Sequence, residues 1–91
     1  ALELESMMDT IRRLLQEHGR LHMPVTQLSD FDDLYGAGLT PFAAIRTMLA
    51  LEEAFDIEFP VAMLRRQSFA SINAVCDCVN QLLPSGERRA A

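Results

Sequence analysis

The sequence predicts a small all-α bundle, and three observations carry that reading. Apolar residues recur at three- and four-residue steps in separate stretches, no segment shows the strict alternation of a half-buried strand, and capping residues flank the stripes. With 91 residues the chain reads as one domain over 1–91, able to bury about 60–65% of its unfolded surface. Residues 1–5 and 85–91 are expected to fray. A composition of 49% apolar and 23% charged residues belongs to a globular chain rather than a disordered one.

The first helix is read from Leu4, Met7, Ile11, Leu14 or Leu15, and His18, with Gly19 placed to stop it. A long connection follows from Arg20 to Leu39, rich in Pro, Asp, Ser and Gly, with Val25, Leu28, Phe31, Leu34 and Leu39 as apolar anchors. A loop of this length in a small domain is packed down or functional. The second helix starts after Thr40, whose side-chain oxygen suits an N-cap, with Pro41 at the first helical position, where a missing N–H costs nothing. It runs through "PFAAIRTMLALEEAF", with Phe42, Ile45, Leu49, Ala54 and Phe55 expected to face inward, and Asp56 and Pro60 bracket its end.

"VAML" after Pro60 has room for one or two helical turns. "SFASINAVCDCVNQLL" carries Phe69, Ile72, Val75 or Cys76, Val79, and Leu82 or Leu83 along one face, with Ser68 or Ser71 as cap and Pro84-Ser85-Gly86 as stop. The expected architecture is a four-helix bundle: three full helices and a short one, with one long loop between the first and second.

Charge and cysteine usage narrow the function. A net charge of −5 argues against nucleic acid, whose binding rests on Lys and Arg neutralising phosphates. It is compatible with a basic protein partner. No apolar run approaches the roughly 20 residues of a membrane span, and the acidic start "ALELESMMDT" does not read as a signal peptide. Cys76 and Cys78 stand two apart, a spacing that on a helix does not form a disulfide framework, so a reducing cytoplasm is expected.

The run "DLYGAGLTPFAAIRTMLALEEAFDIEFP" resembles the central segment of acyl and peptidyl carrier proteins, in which "G-L-D-S-L" opens the second helix and "A-L-E-E-x-F-x-I-x-I-P" closes it. Gly38, Leu39, Thr40, Pro41 and Phe42 occupy the first motif; Ala50, Leu51, Glu52, Glu53, Phe55, Ile57 and Pro60 match the second. "DLYGAGLT", "AFDIEFP" and "RRQSFASI" are similar to the small rhizobial-type aminoacyl carrier proteins. The resemblance implies an acyl-carrier-protein-like bundle that is not an enzyme and that holds an aminoacyl or acyl group as a thioester on a 4'-phosphopantetheine arm. Its implied partners are a phosphopantetheinyl transferase and an amino acid:[carrier protein] ligase resembling class II aminoacyl-tRNA synthetases, or another acyl-activating enzyme. A carrier that visits partners is expected to be a monomer.

The resemblance places the arm on a serine hydroxyl at the mouth of the second helix, where free N–H groups favour a phosphate. Here that position is Pro41, which has no hydroxyl. Three readings stay open: a natural or altered carrier without its arm site, a modified serine written as proline, or Thr40 as acceptor. An arm-less interaction module that binds the partner without cargo is therefore the alternative to a loaded carrier. The second helix also lacks the acidic stripe usual in fatty-acid-type carriers, holding Ala43 and Arg46 there instead. Ala43, Arg46, Thr47, Met63 and Arg65, around Thr40 and Phe42, are the expected partner-facing residues.

Other motifs carry less. "DFDDLYG" resembles the start of a calcium loop, yet counting from Asp30 the required sixth-position glycine is Tyr35 and the twelfth-position glutamate is Pro41. His18 and His22 are separated by Gly19, which breaks the helix that would align them on a metal. Cys76 reads as a small core residue, and Asp77 beside it would raise a thiol pKa rather than lower it.

Overall fold

The computed structural model describes residues 6–84. The expected fraying of 1–5 and 85–91, the inward-facing Leu4 and the Ser85-Gly86 half of the stop lie outside the described residues. Ser6 opens the first helix by accepting the Asp9 backbone N–H on its hydroxyl at 3.1 Å. This helix, α1, spans Met7–His18 and buries Met7, Ile11, Leu14 and Leu15, as the spacing predicts. His18 is half-buried at its end. Gly19 closes α1 in a right-handed conformation, and the left-handed residue is Arg20, at φ 53°.

The connection from 20 to 39 is packed down, and α1 holds it. The Arg12 guanidinium donates to the carbonyls of Val25 at 2.7 Å and Leu28 at 2.9 Å, and pairs with the Asp30 carboxylate at 2.7 Å. The Gln16 side chain accepts the Val25 N–H at 2.9 Å. Val25, Leu28, Leu34 and Leu39 are buried, but Phe31 is exposed. The backbone explains the correction. The Asp30 carbonyl accepts from Asn73 and the Leu34 N–H donates to the Ala70 carbonyl, while the Asp32 carboxylate accepts the Ser29 N–H. Those bonds fix both flanks of a turn whose tip, Phe31, points to solvent.

The second helix, α2, spans Pro41–Phe55 with Thr40 as N-cap and Pro41 at its start, the predicted bounds. Its inward face is not the predicted one. Phe42, Ile45, Leu49 and Ala54 are exposed, while Ala43, Thr47 and Leu51 are buried and Ala44, Met48, Ala50 and Phe55 are partly buried. Two of the three fully buried side chains of α2 are small, Ala43 and Thr47. The Thr47 hydroxyl donates to the Ala43 carbonyl at 2.9 Å, so its burial leaves no polar group unpaired.

Asp56 ends α2 in the left-handed conformation, at φ 56°. The Glu52 carboxylate then accepts the Phe59 N–H at 2.8 Å, and the Phe59 ring packs on Phe69 with centroids 5.9 Å apart. In place of the short helix stand two 3₁₀ turns, Val61–Met63 and Arg66–Phe69. Segments this short close single i+3 bonds more readily than they propagate an α-helix. The last helix, α3, spans Ile72–Leu82 with Ser71 as cap and buries Ile72, Val75, Cys76, Cys78 and Val79 against the other elements. Both cysteines are free. No strand occurs among the described residues.

The mouth of α2 and its groove as the candidate functional site

A tight turn delivers the chain to α2. The Gly38 and Leu39 N–H groups donate to the Tyr35 and Leu34 carbonyls, and His22 donates its N–H to the Ala37 carbonyl at 2.8 Å. Gly38 sits at φ 111°, and a Cβ there would lie 2.6 Å from Cδ2 of His22. Both the backbone conformation and the close approach of the His22 ring demand glycine. Leu39 is buried and anchors the turn.

Thr40 then caps the helix: its hydroxyl accepts the Ala43 N–H at 3.1 Å. Pro41 is exposed at the first helical position. A phosphate placed here would meet a helix N-terminus, yet the residue at that point offers no atom to bond it covalently. Pro41 does not fit the arm. The adjacent hydroxyl, that of Thr40, is committed to the cap.

Beside Pro41 lies a groove of about 380 Å³ between α2 and the 3₁₀ turns, with Tyr35, Ile45, Met48, Met63 and Phe69 among its apolar walls and Arg65 and Arg66 as its charged members. The Arg66 guanidinium lies 3.8 Å from the Tyr35 ring centroid, and the Tyr35 hydroxyl donates to the Arg66 carbonyl at 2.9 Å. Burial raises the Tyr35 pKa above its ordinary value, with Arg66 opposing and Asp33 adding to the rise. On the outer face of α2 the Arg46 guanidinium lies over Phe42, 5.5 Å from the ring centroid. Charge is distributed unevenly: Arg46, Arg65 and Arg66 stand at this end, and Glu52, Glu53, Asp56 and Glu58 line a second hollow at the other end of α2.

Of the residues expected from sequence, Gly38, Leu39, Thr40, Pro41 and Phe42 form the mouth, and Arg46, Met63 and Arg65 stand nearby. Ala43 and Thr47 do not belong to a docking surface: they are 1% and 0% exposed, on the buried face of α2. Sequence reasoning missed Tyr35, Ile45, Leu64 and Arg66. The Phe42, Ile45, Leu49 stripe was visible as a helical period, but a docking stripe and a core stripe share that period. Among the described residues no three His, Cys, Asp or Glu side chains are grouped to hold a metal ion, and no helix is long and apolar enough to cross a membrane.

Comparison with known proteins gives the scaffold its family. The family described as "Phosphopantetheine attachment site" matches residues 9–79. An aminoacyl carrier protein of Agrobacterium fabrum is 51% identical over 78 residues, covering 86% of this chain and 94% of that protein. A chain in the crystal structure of an engineered Bradyrhizobium japonicum glycine:[carrier protein] ligase, complexed with carrier protein from Agrobacterium tumefaciens and AMP, superposes with a TM-score of 0.78 at 53% identity, covering 80% of this chain and 97% of that one. The corresponding complex with ATP gives a TM-score of 0.82 at 51% identity, covering 85% and 100%. The chain is thus a member of the phosphopantetheine-attachment-site family, on the aminoacyl-carrier branch of the carrier proteins.

Proposed function

We propose that this chain docks, as a carrier-protein scaffold, onto an amino acid:[carrier protein] ligase, using the N-terminal half of α2 and the neighbouring 3₁₀ turns. One observation carries the reading: Ile45 and Leu64 are exposed apolar residues that line the groove beside Pro41, and Phe42, next to Pro41 in the chain, is exposed too. Exposed apolar surface of that kind marks an interaction site. The similarity to a carrier protein seen with a glycine ligase supports a ligase of that class as the partner.

The Arg46, Arg65 and Arg66 cluster implies that the partner presents carboxylates, although the whole chain carries −5. The free thiols Cys76 and Cys78 support a reducing compartment, the cytoplasm. We read the chain as a monomer, since the docking face must be open to each partner in turn.

Amide NMR spectra recorded while the ligase is added test the reading. Resonances of Phe42, Ile45, Arg46 and residues 61–66 are expected to shift or broaden, and the effect should weaken at high salt. Perturbations confined to the outer face of α1 would contradict it.

A further inference from the structure

We propose that this chain is a carrier that cannot be armed: it occupies the ligase's docking site and slows the loading of armed carriers. The inference rests on the docking reading above and adds the chemistry of position 41 to it.

Arming a carrier is a group transfer. A hydroxyl oxygen forms a bond to the pantetheine-side phosphorus of coenzyme A, the phosphoanhydride bond breaks, adenosine bisphosphate leaves, and the hydroxyl proton passes to the transferase. Pro41 supplies neither the oxygen nor the proton. Its ring carbons are saturated and its nitrogen is acylated.

Thr40 does not replace it. Its oxygen accepts the Ala43 N–H at 3.1 Å, one residue before the helix, on an extended backbone at φ −99°, ψ 161°. Attack by that oxygen would have to give up the helix cap.

Everything else at the mouth remains. Gly38 keeps its left-handed turn against His22, Leu39 stays buried, and the groove beside Pro41 stays open. Proline is favoured at the first helical position, so the change silences the acceptor without disturbing the surface that a ligase reads. Such a chain competes for the ligase and takes nothing from it.

The test uses the purified chain, coenzyme A and a broad-specificity phosphopantetheinyl transferase, read by intact mass. The wild-type mass is expected to stay constant, and Pro41→Ser to gain one phosphopantetheine. Loading of the Agrobacterium carrier, bearing its arm, by the glycine ligase is then followed with increasing wild-type chain present. The apparent KM for the armed carrier should rise several-fold with kcat unchanged.

A wild-type chain that gains the arm overturns the inference, and loss of that gain in Thr40→Val would identify the acceptor; docking would be untouched by this outcome. A Pro41→Ser chain that stays unmodified overturns the claim that position 41 alone silences the carrier. A chain that stays unarmed and leaves the loading rate unchanged overturns the competition. In that case, a separate binding measurement on the ligase shows whether docking itself has failed.

Discussion

The Thr40 hydroxyl oxygen accepts the Ala43 backbone N–H at 3.1 Å, and the bond bridges Pro41. The start of α2 is therefore built by the residues on either side of Pro41, the position at which the family resemblance places the cargo arm. Structure and chemistry are separable at this point. Thr40→Ala should lower stability by about 1 kcal/mol through loss of the cap, whereas Pro41→Ser should cost less than about 1 kcal/mol, mostly by freeing the unfolded chain. Urea unfolding of the two variants checks the order; a larger loss at position 41 would contradict it.

Phe42 is an outward-facing residue, 69% exposed. Phe42→Asp is expected to fold and melt cooperatively, losing about 1 kcal/mol or less as the contact with Arg46 disappears. Leu51→Ala, at a fully buried position of the same helix, should cost about 2–5 kcal/mol. Thermal melts followed by circular dichroism compare them, and failure of Phe42→Asp to fold would place the ring in the core after all.

Arg12 ties the long connection to α1 through two backbone carbonyls and Asp30. Arg12→Ala should destabilise the chain by about 2 kcal/mol, because the partly buried carbonyls lose a charged donor. Amide exchange across residues 25–34 should accelerate more than exchange in α3. Arg12→Lys should recover only part of the loss, since a single ammonium does not reproduce the planar fork. Uniform acceleration across all helices would argue that the contact is not a local clamp.

The Cys76 thiol faces the sulfur of Met7 at 3.4 Å. Burial, and secondarily the Asp77 and Asp30 carboxylates, raise its pKa above the ordinary value of 9.0. The unfolded chain loses this proton first as pH rises, so the stability linked to Cys76 is complete below about pH 9 and is lost as pH climbs through the folded-state pKa. Denaturant midpoints measured between pH 8 and 11 should fall, and Cys76→Ala should flatten that fall while lowering stability at neutral pH. An equal slope in both proteins would remove the thiol from the account.

The bounds of α2 were readable from Thr40, Pro41 and Asp56, because caps are local chemistry. The buried stripe of α1 was readable because only one of its faces is apolar. The inward face of α2 was not: Phe42, Ile45 and Leu49 oppose Ala43, Thr47 and Leu51, and periodicity cannot choose between two apolar stripes. Size misled as well, since two of the three buried positions of α2 are alanine and threonine while its larger Phe42, Ile45 and Leu49 are exposed. The Arg12 clamp left no pattern, because two of its acceptors are backbone carbonyls of Val25 and Leu28 in the loop. The arm position rests on the resemblance of "GLTPF" to the family's helix-opening motif, and the sequence shows directly that Pro41 has no hydroxyl.

The central claim is that an unarmed chain still docks through the face that α2 turns outward. Isothermal titration of the wild-type chain and of Ile45→Glu into an amino acid:[carrier protein] ligase tests it most directly, with each chain's melt recorded alongside. The account predicts saturable one-to-one binding by the wild-type chain, and binding weakened at least tenfold by Ile45→Glu with its melting temperature nearly unchanged. Equal binding by the two chains, or none by the wild type, would contradict it.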